Sequence, residues 1–503
     1  MSPEESLLVS LLLIPLLGGI GIVLVGRAPN VREGVTLVTA VSLFYTVLEI
    51  LPLTLNGNAP AVTLWQMMPG FEISLKADPL GMVFALVASG LWIINSIYSI
   101  GYMRGNNEKN QTRFYLCFAL SLASVMGLAL ASNLLTLFVF YEALTLATFP
   151  LVTHHGTEKA KKSGRTYLGI LLATSVAFQL LAIIITYVTT GTMDFAEGGI
   201  LAGHVSGMMV GILLFLYMYG IGKAALMPIH RWLPAAMVAP TPVSALLHAV
   251  AVVKAGVFSV VRIVLHVFGI DLLASNAYSE WLLYVSGGTI LIASTIALMQ
   301  DNLKRRLAYS TISQLSYVVM ATAILTPISV VGAIFHIAAH AFGKITLFFA
   351  AGSIYTAAHK TEISQLDGIG RKMPWTMGAF AVGSLCMVGL PPTAGFISKW
   401  HMLEGALQTE QFFVVLVLSG SSLLAASYLF PIVFRAFFKA PPPVKDPYHD
   451  HGEAPVPIVI ALTATASLTI LLFFFHDIPL EMAKMATGLD IPQVAGAITT
   501  PTP

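Results

Sequence analysis

The sequence predicts an all-α membrane protein whose chain crosses the bilayer many times. Of its 503 residues, 56% are hydrophobic and only 10% are charged, whereas an ordinary soluble domain carries roughly 25% charged residues. The apolar residues recur in long runs, and a helix needs about 20 such residues to cross the hydrocarbon core. The net charge of +2 leaves no basic surface for nucleic acid, and the apolar excess excludes a disordered chain.

Fourteen apolar segments are predicted to form transmembrane helices. They lie at residues 7–25, 34–55, 79–101, 114–131, 133–153, 166–189, 207–229, 240–267, 281–299, 307–324, 328–356, 375–402, 411–437 and 456–475. The residues before the first segment include Glu4 and Glu5 but no Lys or Arg. A secretory signal needs a basic start, so the first segment is predicted to stay in the protein as a membrane helix.

The charges of the loops alternate along the chain and predict its orientation. The first, third and every further odd-numbered loop between the segments are rich in basic residues. Together these loops form a basic set that holds 19 of the 26 Lys and Arg residues. The other loops and both termini hold only Lys76 and Lys484. By the positive-inside rule the basic set is cytoplasmic, so both termini are expected outside a cell membrane.

Five basic residues are left within the predicted spans: Lys223, Lys254, Arg262, Lys344 and Lys399. An ionisable group in a span costs roughly 2.5–3.5 kcal/mol on insertion scales, so each is a candidate functional residue. Arg262 is the weakest candidate, because it lies near one end of its segment and could extend its side chain to the interface.

Glu142 is the acidic counterpart, in the stretch LLTLFVFYEALTLATFP at residues 134–150. Burial disfavours a charged carboxylate unless a buried cation holds it ionised. Glu142 is therefore predicted to act on a buried lysine, and the alternative is a charge that is paired only for helix packing.

Lys223 and Lys399 each accompany an interruption of a helix. Gly220, Gly222 and Pro228 surround Lys223, and the stretch GLPPTAGFISK at 389–399 ends at Lys399. Proline removes a backbone hydrogen bond, and paired interruptions in two halves are typical of inverted-repeat transporters. Lys223 precedes its proline whereas Lys399 follows its prolines, so the chain alone does not prove a repeat.

Histidines lie on two of the segments that carry lysines. His248 and Lys254 point about 120° apart on a regular helix, which suits successive steps better than a pair. His336, His340 and Lys344 are spaced by four residues and share one face, which favours a proton relay, since imidazole exchanges protons near neutral pH. Structural polar packing and a metal site are the alternatives, but Ile337 stands where a HExxH motif has its Glu, and no metal or cofactor is expected.

Five stretches of the chain together match one family. They are FYEAL at 140–144, KAALMPIHRWLP at 223–234, APTPVSALLH at 239–248, KRRLAYSTISQ at 304–314 and GLPPTAGFISK at 389–399. With these motifs the chain resembles the antiporter-like subunits that respiratory complex I, membrane-bound hydrogenases and Mrp-type multisubunit cation/proton antiporters share. Within that family, its length and Lys399 are similar to those of the D-type subunit of the Mrp Na⁺/H⁺ antiporters.

The resemblance implies two inverted five-helix repeats, formed by helices four to eight and nine to thirteen, with helices seven and twelve broken. The corresponding divisions are residues 1–113 for the first three helices, 114–267 and 281–437 for the repeats, and 438–503 for a loop, the last helix and a tail. It also implies that Glu142 pairs with Lys223 and tunes its proton affinity, that Lys254 is the central relay and that Lys399 is the terminal proton-loading lysine. The resemblance further implies a hydrated polar axis along the membrane midplane, which would be completed by His248, His336, His340 and Lys344.

The function that the resemblance implies is proton translocation, without catalysis, inside a hetero-oligomeric complex with other membrane subunits. One possibility is a subunit of an antiporter that exchanges protons for Na⁺ or another monovalent cation. The other is the proton-pumping membrane arm of a redox complex, such as an NADH–quinone oxidoreductase or a membrane-bound hydrogenase. The chain itself carries no flavin, nicotinamide or iron–sulfur motif under either alternative.

Overall fold

A computed structural model describes residues 1–441 and 452–489 and confirms the all-α membrane fold. Its helices are α1 (Pro3–Leu24), α2 (Pro29–Leu55), α3 (Pro79–Gly105), α4 (Gln111–Ala129), α5 (Leu134–Val152), α6 (Glu158–Thr190), α7 (Met208–Gly220), α8 (Thr241–Phe268), α9 (Trp281–Met299), α10 (Leu303–Ala323), α11 (Pro327–Ala358), α12 (Pro374–Val388), α13 (Ala394–Gln408), α14 (Phe412–Phe438), α15 (Val456–Phe474) and α16 (Asp477–Ala486). Short helical turns cover parts of the connection between α7 and α8 and the stretch between α8 and α9.

Every predicted transmembrane segment contains a helix, and the chain is a multi-pass membrane protein. Within the described ranges, eleven helices are long and apolar enough to cross a membrane by length and composition. The other three predicted segments are the more polar α10 and the two interrupted segments around α7 and α12. The count of fourteen crossings therefore stays a prediction.

A β-hairpin between α2 and α3 is an element that the sequence did not predict. Strand β1 (Ala61–Met68) pairs antiparallel with β2 (Phe71–Lys76). The side chains of Ser132 and Asn133, just before α5, bond to Ser74 of β2. The hairpin thereby fixes the start of α5, the helix that carries Glu142.

The two predicted helix interruptions are confirmed. Helix α7 ends at Gly220, and the chain passes through a single 3₁₀ turn at Gly222–Ala224 before Pro228. Helix α12 ends at Val388, and Gly389 follows with φ +88°, a left-handed conformation that favours glycine. A side chain at position 389 would also collide with Lys399, because an added Cβ would lie 2.6 Å from its Cδ.

Three π-helical segments depart from the regular helices that the sequence predicts. They cover Ser175–Gln179 in α6, and Leu246–Val250 and Val264–Phe268 in α8. A π turn inserts one residue and re-aims the side chains that follow it. The angle of about 120° between His248 and Lys254, which assumes 3.6 residues per turn, is therefore wrong for this helix.

Helices α8 and α11 form the centre of the described structure. Both are buried along nearly their whole length, whereas α1, α2 and α15 present apolar outer faces. Helix α8 packs against α3, α5, α10 and α11, and α11 packs against α12, α13 and α15. The exposed apolar faces fit contact with lipid, while polar side chains are gathered inside, where other helices can satisfy them.

The division of the chain into residues 1–113, 114–267, 281–437 and 438–503 stays a prediction. Part of the last division, residues 442–451 and 490–503, lies outside the described residues. The described part of that division contains α15 and the short helix α16.

Candidate functional site

The eight residues that are predicted to carry or relay protons lie inside the protein. Seven of them expose at most 9% of their surface. The eighth, Glu142, is partly exposed, but both of its carboxylate oxygens are buried. They lie on α5, on the stretch after α7, on α8, on α11 and on α13: Glu142, Lys223, His248, Lys254, His336, His340, Lys344 and Lys399.

Lys254 and His340 form the direct link between α8 and α11. The Nζ atom of Lys254 lies 2.5 Å from Nδ1 of His340, and both side chains are buried. The ring of His340 stacks with that of His336, one turn earlier on α11, with a centroid distance of 5.9 Å. The structure thus brings together the central lysine and the histidine ladder that the sequence predicts.

We call the series from Lys254 through His340 and His336 to Lys399 the lysine row. Between His336 and Lys399 this row contains residues that the sequence did not single out. Nδ1 of His336 lies 2.8 Å from Oγ of Ser398, the residue next to Lys399. Nε2 of His336 lies 3.1 Å from Oε1 of Gln314 on α10. The ring of Tyr317 stacks on His336 and also lies below the amine of Lys399, with Nζ 4.6 Å from the ring centroid.

The interruption after α12 provides the binding site for the amine of Lys399. Nζ donates hydrogen bonds to the carbonyls of Met387 (3.0 Å) and Val388 (2.9 Å), the last two residues of α12, and to Oγ of Ser422 (3.1 Å). Carbonyls at a helix end have no partner within the helix, and they attract positive charge through the helix dipole. The break therefore stabilises an ammonium group at the place where the chain would otherwise continue as a helix.

Lys223 lies at the other interruption, but its amine is held by α5 and not by carbonyls at the end of the broken helix. Its Nζ donates to the carbonyl of Tyr141 (2.8 Å) and to Oγ1 of Thr145 (2.6 Å), and it lies 3.1 Å from the centroid of the Tyr141 ring. The backbone N–H of Lys223 donates to the hydroxyl of Tyr141. Gly256 lets this stretch approach α8, since an added Cβ there would lie 2.3 Å from the carbonyl carbon of Lys223.

Glu142 does not contact Lys223 directly. No ion pair within 4.0 Å joins the two among the described residues, and both oxygens of Glu142 lack a hydrogen-bond partner there. Lys223 instead bonds to Tyr141 and Thr145, which lie close to Glu142 on the same helix. That the two residues function as a pair stays a prediction.

His248 and Lys344 lie beside the row. Nζ of Lys344 donates to Oγ of Ser310 (2.8 Å), which also accepts a hydrogen bond from the hydroxyl of Tyr428 (3.0 Å). The ring of His248 packs against Phe348 with a centroid distance of 4.8 Å. Neither of its ring nitrogens has a hydrogen-bond partner within residues 1–441 and 452–489.

The expectation that Arg262 extends to the membrane interface is wrong. Its side chain is fully buried and forms a bidentate ion pair with Asp78. Asp78 also caps α3, as Oδ1 accepts from the backbone N–H of Gly81 at 2.8 Å, so the cap that its position before Pro79 suggests is present. The pair ties the start of α3 to the end of α8 and lies apart from the lysine row.

The geometry suits the movement of protons between neutral and cationic groups. From Lys254 to Lys399 the polar groups follow each other at hydrogen-bond or ring-stacking distance, and none of these lysines is neutralised by a direct carboxylate contact in the part of the chain that the structure describes. A lysine held by carbonyls and hydroxyls can lose its proton more easily than one held by a carboxylate. The described residues contain no group of three His, Cys, Asp or Glu that could hold a metal ion.

The neutral partners of the row were missed at the level of sequence. Gln314 ends the motif KRRLAYSTISQ, so its position there is a signal that could have been used. Ser398 and Tyr317 carry no such signal, since serine and tyrosine inside an apolar segment are also common packing residues. Only the packing of α10, α11 and α13 shows that they meet His336.

Comparison with known proteins places the chain in a family. Residues 131–425 match the family model described as "NADH:quinone oxidoreductase/Mrp antiporter, TM". The chain belongs to this family. Residues 65–115 also match the model described as "NADH-Ubiquinone oxidoreductase (complex I), chain 5 N-terminus". The chain is thus an antiporter-like membrane subunit of the family that Mrp antiporters and complex I share.

Curated relatives within the family carry complex I names. NADH-quinone oxidoreductase subunit N of Desulforudis audaxviator is 34% identical over 382 residues, which cover 74% of either chain. Subunit L of Rickettsia felis is 33% identical over 416 residues, which cover 80% of this chain and 63% of subunit L. The chain therefore spans less than two thirds of that subunit L.

Solved structures share the fold over nearly the whole chain. A chain of the Mrp complex from Dietzia sp. DQ12-45-1b superposes with a TM-score of 0.86 at 21% identity and covers 97% of both chains. A chain of the membrane-bound sulfane sulfur reductase, an archaeal respiratory membrane complex, superposes with a TM-score of 0.84 at 23% identity, covering 96% of this chain and 97% of that one.

Proposed function

We propose that this chain moves protons as part of a multisubunit antiporter that exchanges Na⁺ or another monovalent cation for protons. The observation that carries the proposal is the contact series from Lys254 through His340 and His336 to the site of Lys399. Buried ionisable groups are expensive in a membrane protein, and they persist where they serve transport.

Protons would move stepwise along the row. When one lysine takes up a proton, its charge raises the cost of protonating the next group, because like charges interact strongly inside a protein. Lys223, Lys254 and Lys399 would be occupied in turn, with Glu142 stabilising the charged form of Lys223. His248, His336, His340 and Lys344 would complete the polar axis at the level of the membrane midplane.

A redox-driven proton pump is the second candidate. The relatives named NADH-quinone oxidoreductase subunit N and subunit L favour it, whereas the chain length and Lys399, which are similar to those of the D-type Mrp subunit, favour the antiporter. The fold does not distinguish the two candidates, since a chain of the Mrp complex and a chain of an archaeal respiratory complex match it almost equally well. In both cases the chain would work with other membrane subunits in a cell membrane, with both termini outside. The chain would move protons without catalysing a redox reaction itself.

The composition of the intact complex distinguishes the two candidates. We expect the complex purified through this chain to contain small membrane subunits and no iron–sulfur cluster by electron paramagnetic resonance. In vesicles it should acidify or alkalinise the lumen in response to an imposed Na⁺ gradient. Iron–sulfur signals together with proton movement driven by an electron donor would support the redox pump and contradict the antiporter.

The role of the row is tested in the same vesicles. Replacement of Lys254 by Ala should stop proton movement under either driving force while the complex still assembles. A matched control is Ser384→Ala on α12, a buried residue whose hydroxyl bonds to the backbone carbonyl of Phe380 in its own helix. Normal proton movement in an assembled Lys254→Ala complex would contradict the proposal.

A further inference from the structure

Glu49 is an acidic residue on the outer face of a transmembrane helix. Of the 24 Asp and Glu residues of the chain, only Glu49 and Glu142 fall within the fourteen predicted segments. Both oxygens of Glu142 are buried, whereas the side chain of Glu49 is exposed on α2. The hydrogen-bond partner of Glu49 is the hydroxyl of Tyr45, one turn earlier, which is 62% exposed. No salt bridge joins Glu49 to a basic residue within residues 1–441 and 452–489.

The packing of α2 against α1 fixes the depth of Glu49 in the membrane. An added Cβ on Gly18 of α1 would lie 2.3 Å from the side chain of Thr39 on the antiparallel α2. Glu49, ten residues after Thr39, is therefore level with Leu8, ten residues before Gly18. The 22 residues of α1 are about 33 Å long and only just span a hydrocarbon core of about 30 Å. Because Leu8 lies five residues inside α1, Glu49 lies roughly 6 Å below the surface of the core.

Contact with lipid tails alone does not satisfy a carboxylate at this depth. A charged side chain in the hydrocarbon region is costly, and such residues almost always pair with another group or face the interior of a protein. The hydroxyl of Tyr45 supplies a hydrogen bond but no charge, and it lies one turn deeper, so it does not connect the carboxylate to water. A cation that another molecule brings to the same depth would satisfy Glu49.

The remainder of this face is suited to contact with another helix. Apart from Glu49 and the hydroxyl of Tyr45 it is apolar, and its exposed residues include the small side chains of Gly34, Val38 and Val41. The outer face of α1 instead presents the larger side chains of Leu16, Leu17 and Ile20. Small residues on a transmembrane helix let a second helix approach closely, and polar side chains bond across such an interface. An added Cβ on Gly34 would meet nothing within 4 Å, so this glycine serves no close packing inside the chain.

We propose that in the intact complex the outer face of α2, formed by Val38, Val41, Tyr45 and Glu49, is covered by a transmembrane helix of another subunit that carries a lysine or arginine at the depth of Glu49. Charge complementarity selects this partner, because a wholly apolar helix would leave the carboxylate unpaired. The inference rests on one part of the proposed function, namely that the chain works with other membrane subunits, and it does not depend on the lysine row.

Photo-cross-linking in the purified complex tests where the partner lies. A benzophenone amino acid replaces either Val41, which is 51% exposed on α2, or Leu17, which is 61% exposed on α1 at nearly the same depth. We expect the label at position 41 to join this chain to a transmembrane helix of another subunit that has a Lys or Arg inside its apolar run. The label at position 17 is the matched control and should give lipid adducts. Adducts at position 41 with lipid alone, with a second copy of this chain or with a helix that lacks a basic residue would contradict the proposal.

Charge exchange tests whether Glu49 holds the partner. Glu49→Lys sets a like charge against the cation of the partner, so the amount of that subunit that co-purifies should fall about tenfold or more. Glu49→Gln keeps the size of the side chain and should cause a smaller loss. Replacing the basic residue of the cross-linked helix by Glu should restore the subunit to the Glu49→Lys complex.

A bulky residue tests the same face without a change of charge. Val41→Trp should also release the partner, whereas Leu17→Trp, the matched control on α1, should leave the subunit composition unchanged. Retention of every subunit in both the Glu49→Lys and the Val41→Trp complexes would overturn the docking site.

The docking site and the proposed function fail separately. Cross-linking needs no transport, so a basic partner helix at position 41 would support the docking site even if Lys254→Ala moved protons normally, which would contradict the proposed function alone. Loss of transport in Lys254→Ala together with lipid adducts alone at position 41 would contradict the docking site alone.

Discussion

The amine of Lys254 lies 2.5 Å from Nδ1 of His340, in the most buried part of the described structure. At that distance one group donates a hydrogen bond to the other: the amine donates to an unprotonated ring nitrogen, or the ring N–H donates to a neutral amine. Two positive charges cannot stay at this separation without a carboxylate, and none contacts them among the described residues. Under the proposed function, this pair would therefore carry at most one proton at a time, which it would pass on along the lysine row.

The first prediction concerns the chemical identity of the three lysines. Replacing Lys223, Lys254 or Lys399 by Ala should lower proton movement by roughly 10²-fold or more, the range for losing a proton-transfer group. Replacement by Arg should fail as well, because Arg keeps its proton at any accessible pH. Double variants should be no worse than single ones, as expected for residues that act in series.

Proton flux in vesicles that contain the whole complex measures this, with assembly checked by native gel. A purely structural lysine would tolerate arginine, since a permanent charge can still bond to the carbonyls of Met387 and Val388. Near-normal flux in an assembled Lys399→Arg or Lys254→Arg complex would remove that residue from the path.

The second prediction concerns Glu142. Glu142→Ala should abolish transport while assembly survives, because it removes the negative charge that favours the protonated form of Lys223. Glu142→Asp should retain part of the activity. Growth of an antiporter-deficient host at high Na⁺ reports the effect in cells, and full growth with the Ala variant would refute the role.

The third prediction concerns the neutral partners of His336. Ser398→Ala and Gln314→Leu each remove one hydrogen bond, worth roughly 0.5–1.5 kcal/mol, so each should slow proton movement by about three- to tenfold. Ser398→Thr keeps the hydroxyl and should retain more activity than Ser398→Ala. If both partner variants match the wild-type flux, the path does not run through His336.

Two kinds of signal in the sequence predicted most of the site. Glycine and proline within an apolar run mark an interrupted helix, and a lysine in such a run is rare enough to be singled out; both signals are local. They led to the breaks beside Lys223 and Lys399 and to the ladder on α11, all of which the structure contains.

The rest depends on contacts between distant parts of the chain. The partners of Lys399 include backbone carbonyls of α12, which cannot be recognised from a pattern of side chains. Arg262 looked like an interfacial residue because its partner, Asp78, lies 184 residues away in sequence. The hairpin β1–β2 was missed because a search for long apolar runs does not register short strands between them, and the π turn at His248 was missed because composition does not encode it.

The fourth prediction concerns orientation. Because the basic loops belong to one set, the loop that contains Lys159 and Arg165 should be cytoplasmic and both termini outside. Single cysteines placed in this loop and near the N-terminus, in a chain without its two native cysteines, should react with an impermeant maleimide from opposite faces of the membrane. Labelling of the loop in intact cells would show that the loop lies outside and would contradict the predicted topology.

The last prediction concerns the ion pair between Asp78 and Arg262, which we expect to contribute to stability and not to transport. Asp78→Asn keeps an oxygen that can cap α3 but removes the negative charge, which leaves the buried guanidinium of Arg262 uncompensated. Breaking a buried pair in this way costs roughly 3–5 kcal/mol, so the variant complex should lose its thermal stability in detergent. The double variant Asp78→Asn/Arg262→Met removes the orphaned charge and fills its volume, and it should recover most of the loss. Proton movement per assembled complex should stay near normal in the double variant, because the pair lies apart from the lysine row. A double variant that is stable but does not transport would instead assign Asp78 and Arg262 to the proton path.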